Sequence, residues 1–345
     1  MSDQTAERAS APGASANGAA PGSSQAKPSP SQPAQSQPAQ SQAKSARSQS
    51  ARAPQTRRRD RLPRPVKRAT YTTLVAAGIP TSWARMLPSF LIVGAQRAGT
   101  TSMSRTLSAH PAVFHPVLHQ EVHYFDNAYD RGMAWYRSHF PLRVRARIAA
   151  RAAGVAPMAF ESSPYYMMHP LAAERINRDL PGVKLLVLLR DPVERSYSGH
   201  AHETALGFEA EPYPRAIELE ASRLAGEAEK IAANPHYYSY SHQHHAYRLR
   251  GHYAEQLQNL EKVFGRDRIH VVDSGEFFTD PARIYDGVLD FLGLPHAEYP
   301  EFKQRNARPR SAPIPPAVRE ELEDYFRPHD QRLAEWLGRE PSWCR

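Results

Sequence analysis

Cysteine is almost absent from this 345-residue chain: Cys344 stands alone, next to the C-terminus. No intramolecular disulfide can form, which suits a reducing compartment. No apolar run approaches the ~20 residues needed to cross a bilayer, so no transmembrane segment is expected. The N-terminus has no apolar stretch of the secretory type. A cytoplasmic protein is the expectation. Large aliphatic and aromatic side chains are missing from residues 2–56, which are nearly all Ala, Ser, Gln, Pro and Gly. Such a segment has too little apolar area to offset the entropy of ordering it. "SQPAQ" occurs twice at 31–40, too short and too polar for a structural repeat. Residues 1–68 therefore read as a disordered tail ending in a basic block, and 69–345 as one folded domain.

The folded part also lacks net charge. Residues 1–68 hold 12 Lys/Arg and 3 Asp/Glu, which is the whole of the net +9. The excess is concentrated in "RRRDRLPRPVKR", 57–68. A block of this kind is either a solvated tail or a contact for an acidic surface. It gives no support for a nucleic-acid-binding domain, and no nucleic-acid partner is expected.

Apolar runs that end in glycine or charge are present. "FLIV", 90–93, ends at Gly94 and reads as a buried parallel strand. Thr100 to Ala109 reads as the helix after it, stopped by "AHPAVFHP". "APMAFE" at 156–161, "VKLLVLL" at 183–189 and "RIHVVD" at 268–273 are further strands. Two helices are expected between the last two of these, and another near the C-terminus on Val318, Leu322 and Tyr325. Strands alternating with helices imply a P-loop-like three-layer α/β/α fold with a central, mainly parallel sheet. Ligands bind such sheets at the carboxyl ends of the strands. That rule gathers the loop after 93, the segment after 161 and the segment after 189.

Three stretches there carry chemistry. "GAQRAGTTS", 94–102, has the two glycines of a phosphate loop but Thr100 where nucleotide hydrolases carry Lys. Gly94 and Gly99 let the backbone approach an anion, and Arg97 is the only full charge inside the loop. Thr100, Thr101 and Ser102 add donors at a positive helix end. A plain strand–turn–helix joint is the simpler alternative. "RDPVERSYS", 190–198, sets Arg190 at a strand end, Asp191 as N-cap, Pro192 at N1 and Ser198 on the helix. These residues suit a second phosphate, or Arg190 pairs with Asp191 or Glu194. "EVHYFD", 121–126, holds Glu121, His123 and Asp126, and period-two alternation sets Glu121 and His123 on one side. A carboxylate beside an imidazole serves as a general base, or the stretch is a solvated strand edge.

Together these stretches resemble the sulfotransferases that use 3′-phosphoadenosine 5′-phosphosulfate (PAPS), above all the heparan sulfate and other glycosaminoglycan type and its bacterial members. "FESSPYY" at 160–166, "RGHYAEQL" at 250–257 and "VVDSGEFFTDP" at 271–281 fall in that family's order. The resemblance spans roughly 89–340. It implies that Arg97, Ala98, Gly99, Thr100, Thr101 and Ser102 wrap the 5′-phosphosulfate, and that Arg190 and Ser198 hold the 3′-phosphate. It further implies that Glu121 deprotonates the acceptor, with His123 beside it and Asp126, Ser162, Ser163 and Tyr165 toward the acceptor. No metal is required, because no β- and γ-phosphates have to be bridged. The family often has Lys at the Arg97 position, and many vertebrate members have Lys at Ser162. Their disulfide-closed loop has no counterpart here. "NARPRSAP", 306–313, is a candidate closure through Arg308 and Arg310. The expected acceptor is a small molecule or glycan with a hydroxyl or amine. A P-loop kinase or NTPase, or a non-catalytic PAP-binding module, stays open as an alternative. The segment 234–253 holds five histidines and five tyrosines without a carboxylate or cysteine, and reads as a polar aromatic wall or a surface connection rather than a metal site.

Overall fold

The computed structural model describes residues 64–117, 121–296, 298–302 and 313–345. Helix α1, Arg64–Gly78, runs across the 68/69 boundary drawn from composition. A short 3-10 helix, Ile79–Ala84, leads into β1, Pro88–Gly94. Next come α2, Thr100–Leu107, and a two-residue strand β2, Val113–Phe114. Helices α3, Gly132–Ser138, and α4, Arg143–Ala149, precede β3, Met158–Ser162. α5, Ala172–Asp179, returns the chain to β4, Lys184–Leu189. Five α-helices then intervene: α6, Pro192–Leu206; α7, Tyr213–Leu224; α8, Glu227–Ala233; α9, Tyr240–His244; and α10, Tyr253–Phe264. After β5, Ile269–Asp273, come α11, Ser274–Thr279, α12, Pro281–Leu292, and α13, Pro316–Leu337.

The strands form one sheet in the order β2-β3-β1-β4-β5, and every pairing is parallel. β1 lies in the middle because its residues suit burial on both faces: Phe90, Leu91, Ile92 and Val93 are fully buried. Each such side chain contributes about 1.5–3 kcal/mol of transfer free energy. Phe90 stacks on Phe160 of β3 with ring centres 4.9 Å apart, across the register pair Phe90/Phe160. Met103 and Leu107 of α2, Leu257 and Leu260 of α10, and Val288 and Leu289 of α12 complete the core as helices flank the sheet.

The strand order sets the site. The chain leaves β3 on one side of β1 and returns as β4 on the other, so the topological switch lies between β1 and β4. A crevice opens at the carboxyl ends of such neighbours. Parallel pairing brings the loops after β3, β1, β4 and β5 to one edge.

Two sequence expectations change. The region between β4 and β5 contains five helices rather than two, since α8 and α9 are too short to show a stripe of their own. β2 is a strand where only a helix stop was expected, because two residues flanked by prolines carry no periodicity.

Candidate functional site

At the sheet edge lies a cavity of about 960 Å³, lined from the β1–α2 loop, the 121–123 segment, Arg190 and Asp191 ahead of α6, the middle and end of α6, the start of α11, helix α9 and the C-terminal Ser342 and Trp343. A cavity of that size admits a nucleotide together with part of an acceptor.

The β1–α2 loop is the floor. Gly99 is the N-cap of α2 in the left-handed region at φ 90°. A side chain there would be strained and its Cβ would stand 3.2 Å from Phe278 Cζ. Arg97 is also left-handed, at φ 70°, without being glycine. Non-glycine residues hold that conformation only where the surroundings enforce it, and such strain clusters at functional sites. Arg97 Nε donates to Ser198 Oγ at 3.0 Å. The carbonyl of Arg97 accepts from Arg190 Nη1 at 3.3 Å, and the hydroxyl of Ser274 donates to the carbonyl of Ala98. The loop is thus braced from α6 and from α11.

α6 starts as its sequence requires. Asp191 Oδ1 accepts from the backbone N–H of Val193 at 2.9 Å and of Glu194 at 3.4 Å, with Pro192 in the first turn. Arg190 lines the cavity and also lies 3.7 Å from Glu194, the pairing weighed as its alternative. Burial lowers the Arg190 pKa.

The opposite wall carries the acid–imidazole group. His123 Nδ1 lies 2.7 Å from Asp126 Oδ2, and His123 Nε2 lies 3.3 Å from Glu121 Oε2. Burial by itself would lower the His123 pKa, but Asp126, and then Glu121, outweigh it and raise it to about 10. The ring is therefore an imidazolium at neutral pH, donating to both carboxylates. The side chain of Glu121 is 51% exposed and borders the cavity, whereas that of Asp126 is buried. Glu121 and His123 meet as expected but not by strand alternation. Residues 121–123 belong to no regular element, 124–127 form a turn, and His123 sits at φ 55°.

Arg97, Ala98, Gly99, Thr100, Thr101, Glu121, His123, Tyr165, Arg190 and Ser198 all line the one cavity. Ser102, Asp126, Ser162 and Ser163 are buried and do not line it. Ser163 Oγ accepts from the His123 backbone N–H at 3.2 Å, so it braces the imidazole from behind. Arg308 and Arg310 lie outside the described residues.

A further part of the cavity lining went unread in the sequence. Glu203 is buried, accepts from Gln96 Nε2 at 2.9 Å and pairs with His244 Nδ1 at 2.8 Å. Burial would raise its pKa, but His244 and Arg250 hold it down. Arg250 is buried over the Tyr165 ring at 5.2 Å. His242, His244 and His245 of the histidine-rich segment are buried rather than on a surface connection. The one available signal was Glu203 late on an otherwise well-marked helix.

A braced anion loop facing a carboxylate–imidazolium pair at a parallel-sheet switch point defines a group-transfer site of the P-loop-like class. The chain belongs to the sulfotransferase domain family, whose model matches residues 87–308. It is 29% identical over 300 residues to the mouse heparan sulfate glucosamine 3-O-sulfotransferase 6, covering 79% of this chain and 80% of that protein. It is 30% identical over 225 residues to the human bifunctional heparan sulfate N-deacetylase/N-sulfotransferase 3, covering 62% of this chain and 23% of that one. A crystal structure of a sulfotransferase from Alicyclobacillus acidocaldarius matches at TM-score 0.55 and 29% identity, over 75% of this chain and all of that one. The protein is a sulfotransferase, and its family draws the sulfuryl group from PAPS.

Proposed function

We propose that the chain moves the sulfuryl group of PAPS to a hydroxyl or amine of a carbohydrate or glycoconjugate acceptor. The observation that carries this reading is that Arg97, Arg190 and the half-exposed Glu121 all line one cavity. In this reading residues 97–102 wrap the 5′-phosphosulfate, with the α2 N-terminus adding about half a positive charge. Arg190 and Ser198 take the 3′-phosphate. Arg97, tied to Ser198, links the two anionic ends and stabilises charge on the departing phosphate. Arg holds its proton too firmly to act as a general acid, so its role is electrostatic.

Glu121 takes the proton of the acceptor as its oxygen or nitrogen attacks sulfur and the bond from sulfur to the 5′-phosphate breaks, leaving PAP. His123 stays protonated and fixes the Glu121 carboxylate, while Asp126 fixes His123. Ser163 supports this group from behind. Tyr165, Gln243 and His244 form the wall on which the acceptor rests. The heparan sulfate relatives support a glycan acceptor.

The test is to incubate the full chain with labelled PAPS and a panel of glycans, glycolipids and phenols, scoring PAP and product one to one. Glu121→Gln should lower kcat by about 10²–10⁴-fold, the usual worth of a general base, with PAP affinity unchanged. A variant that kept its rate, or a protein that bound Mg²⁺–ATP in preference to PAP, would remove the reading.

A further inference from the structure

From Arg131 to Phe160 the sequence holds six arginines and no aspartate or glutamate. The structure places four of them, Arg143, Arg145, Arg147 and Arg151, in exposed positions on α4 and the turn that continues it. None of the four has a carboxylate partner among the described residues.

This helix is oriented against the usual preference. Its inward side consists of two small residues, Ala146 and Ala150, each 1% exposed. Its large apolar residues point the other way: Val144 is 61% exposed and Ile148 is 70% exposed. At 3.6 residues per turn Val144 and Ile148 form a ridge, with Arg147 and Arg151 on one flank and Arg145 on the other. Trp83 adjoins the start of the helix. Its carbonyl accepts from Arg143 Nη2 at 2.8 Å and from Arg137 Nη2 at 3.1 Å, and its side chain is 71% exposed. Trp83, Ile148 and Val144 are the three most exposed large apolar side chains among the described residues. Burying Ala and exposing Ile, Val and Trp has a solvation cost that natural surfaces rarely carry without a partner. None of these residues lines the cavity.

We propose that α4 and the Trp83 turn dock the protein on an anionic bilayer surface. The occupant follows from the pairing of chemistries. A polyanionic glycan or nucleic acid matches the arginines but has no apolar interior to receive Ile148 and Trp83. A second copy would set arginines against arginines. The chain's own block at 57–68 is basic and would be repelled. An anionic lipid surface takes both. Arginine stems reach up to the headgroups, the Trp ring sits at the interface, and the Val144–Ile148 ridge enters the acyl boundary. The proposal is independent of the reaction and of the acceptor.

Flotation of the full chain with phosphatidylcholine vesicles, with and without added phosphatidylglycerol, tests it. The chain should float with the anionic vesicles and not with the neutral ones. Val144→Glu with Ile148→Glu, and separately Trp83→Ala, should weaken partitioning about tenfold or more, with the loss greatest in high salt, where the basic tail is screened. Stabilisation by PAP, unchanged in each variant, would show that the fold is intact. Three results would overturn the proposal: no binding by the parent chain, equal binding by the variants, or a parent dimer that the variants split in place of vesicle binding. A heparin oligosaccharide that bound this face without any vesicle binding would do the same.

Discussion

Glu161 is fully buried on β3, and neither of its carboxylate oxygens has a hydrogen-bond partner in good geometry among the described residues. Burial raises its pKa to about 8, against the opposing influence of the Tyr166 hydroxyl and His123. At neutral pH it is a protonated acid beneath the His123–Asp126 pair. Between about pH 4.5, where the unfolded group titrates, and pH 8, the folded state holds a proton that the unfolded state lacks. Stability attributable to this residue therefore falls as pH rises through that window. Glu161→Gln removes the penalty, so the Tm of the variant should gain on the parent from about pH 5 to about pH 8. His123 has the same sign over a higher window. Its folded pKa near 10 exceeds the ordinary 6.5, so its contribution is full below about 6.5 and lost as pH rises toward 10. His123→Ala should cost about 1.5–3 kcal/mol at mildly acidic pH, the worth of a charge-assisted hydrogen bond, and much less near pH 10. Denaturant titrations at two pH values measure the difference. A loss independent of pH would mean that the ring acts by packing alone.

At the scale of elements, what the sequence revealed depended on how local the cause was. Asp191 and Pro192 announced the start of α6 because a cap and a first-turn proline act within four residues. Asp191→Ala should lower stability by about 1 kcal/mol by that local route. The pairing of Glu121 with His123 was legible, but the reason was not: two residues apart suggests a pleat, and the chain achieves the approach with a left-handed turn. The Gln96–Glu203–His244 wall was illegible, since its members lie 107 and 41 positions apart and meet only once the sheet is built. Gly99 shows both kinds of cause. Its left-handed φ could be anticipated from the phosphate-loop spacing, but the approach of Phe278 from α11 could not. Gly99→Ala places a Cβ in a conformation costing about 1–2 kcal/mol and pushes on that ring. The loop amides should then shift, so PAP affinity measured by calorimetry should fall by about tenfold or more, with a smaller effect on overall stability. Equal affinity would mean that the amides of this loop do not hold the anion.

For the whole molecule, the decisive feature is that the cavity is closed by segments from both ends of the domain. The C-terminal Ser342 donates its N–H to Asp273 Oδ2 at 2.8 Å and its hydroxyl to Asp273 Oδ1 at 2.7 Å, bringing Trp343 to the same cavity as the β1–α2 loop. Arg339 and Arg345 reinforce this anchor through Glu276. A ligand spanning Arg97, Arg190 and Trp343 therefore stabilises the central strand β1, its neighbour β4 and the C-terminal segment together, and none of these sites survives unfolding. Mass action then sets the response: at a hundredfold excess over Kd, a ligand specific to the native state adds about 2.7 kcal/mol. For a domain of this size that corresponds to a rise in Tm of roughly 5 °C. PAP should give this shift without Mg²⁺, and Mg²⁺–ATP should not, because Thr100 occupies the position where a triphosphate loop carries Lys. Trp343→Ala should reduce the shift while Glu121→Gln leaves it intact, since the first removes part of the nucleotide's enclosure and the second only the base. A shift of equal size from Mg²⁺–ATP would mean that the loop does not discriminate between the two nucleotides, and the preference drawn from Thr100 would have to be abandoned.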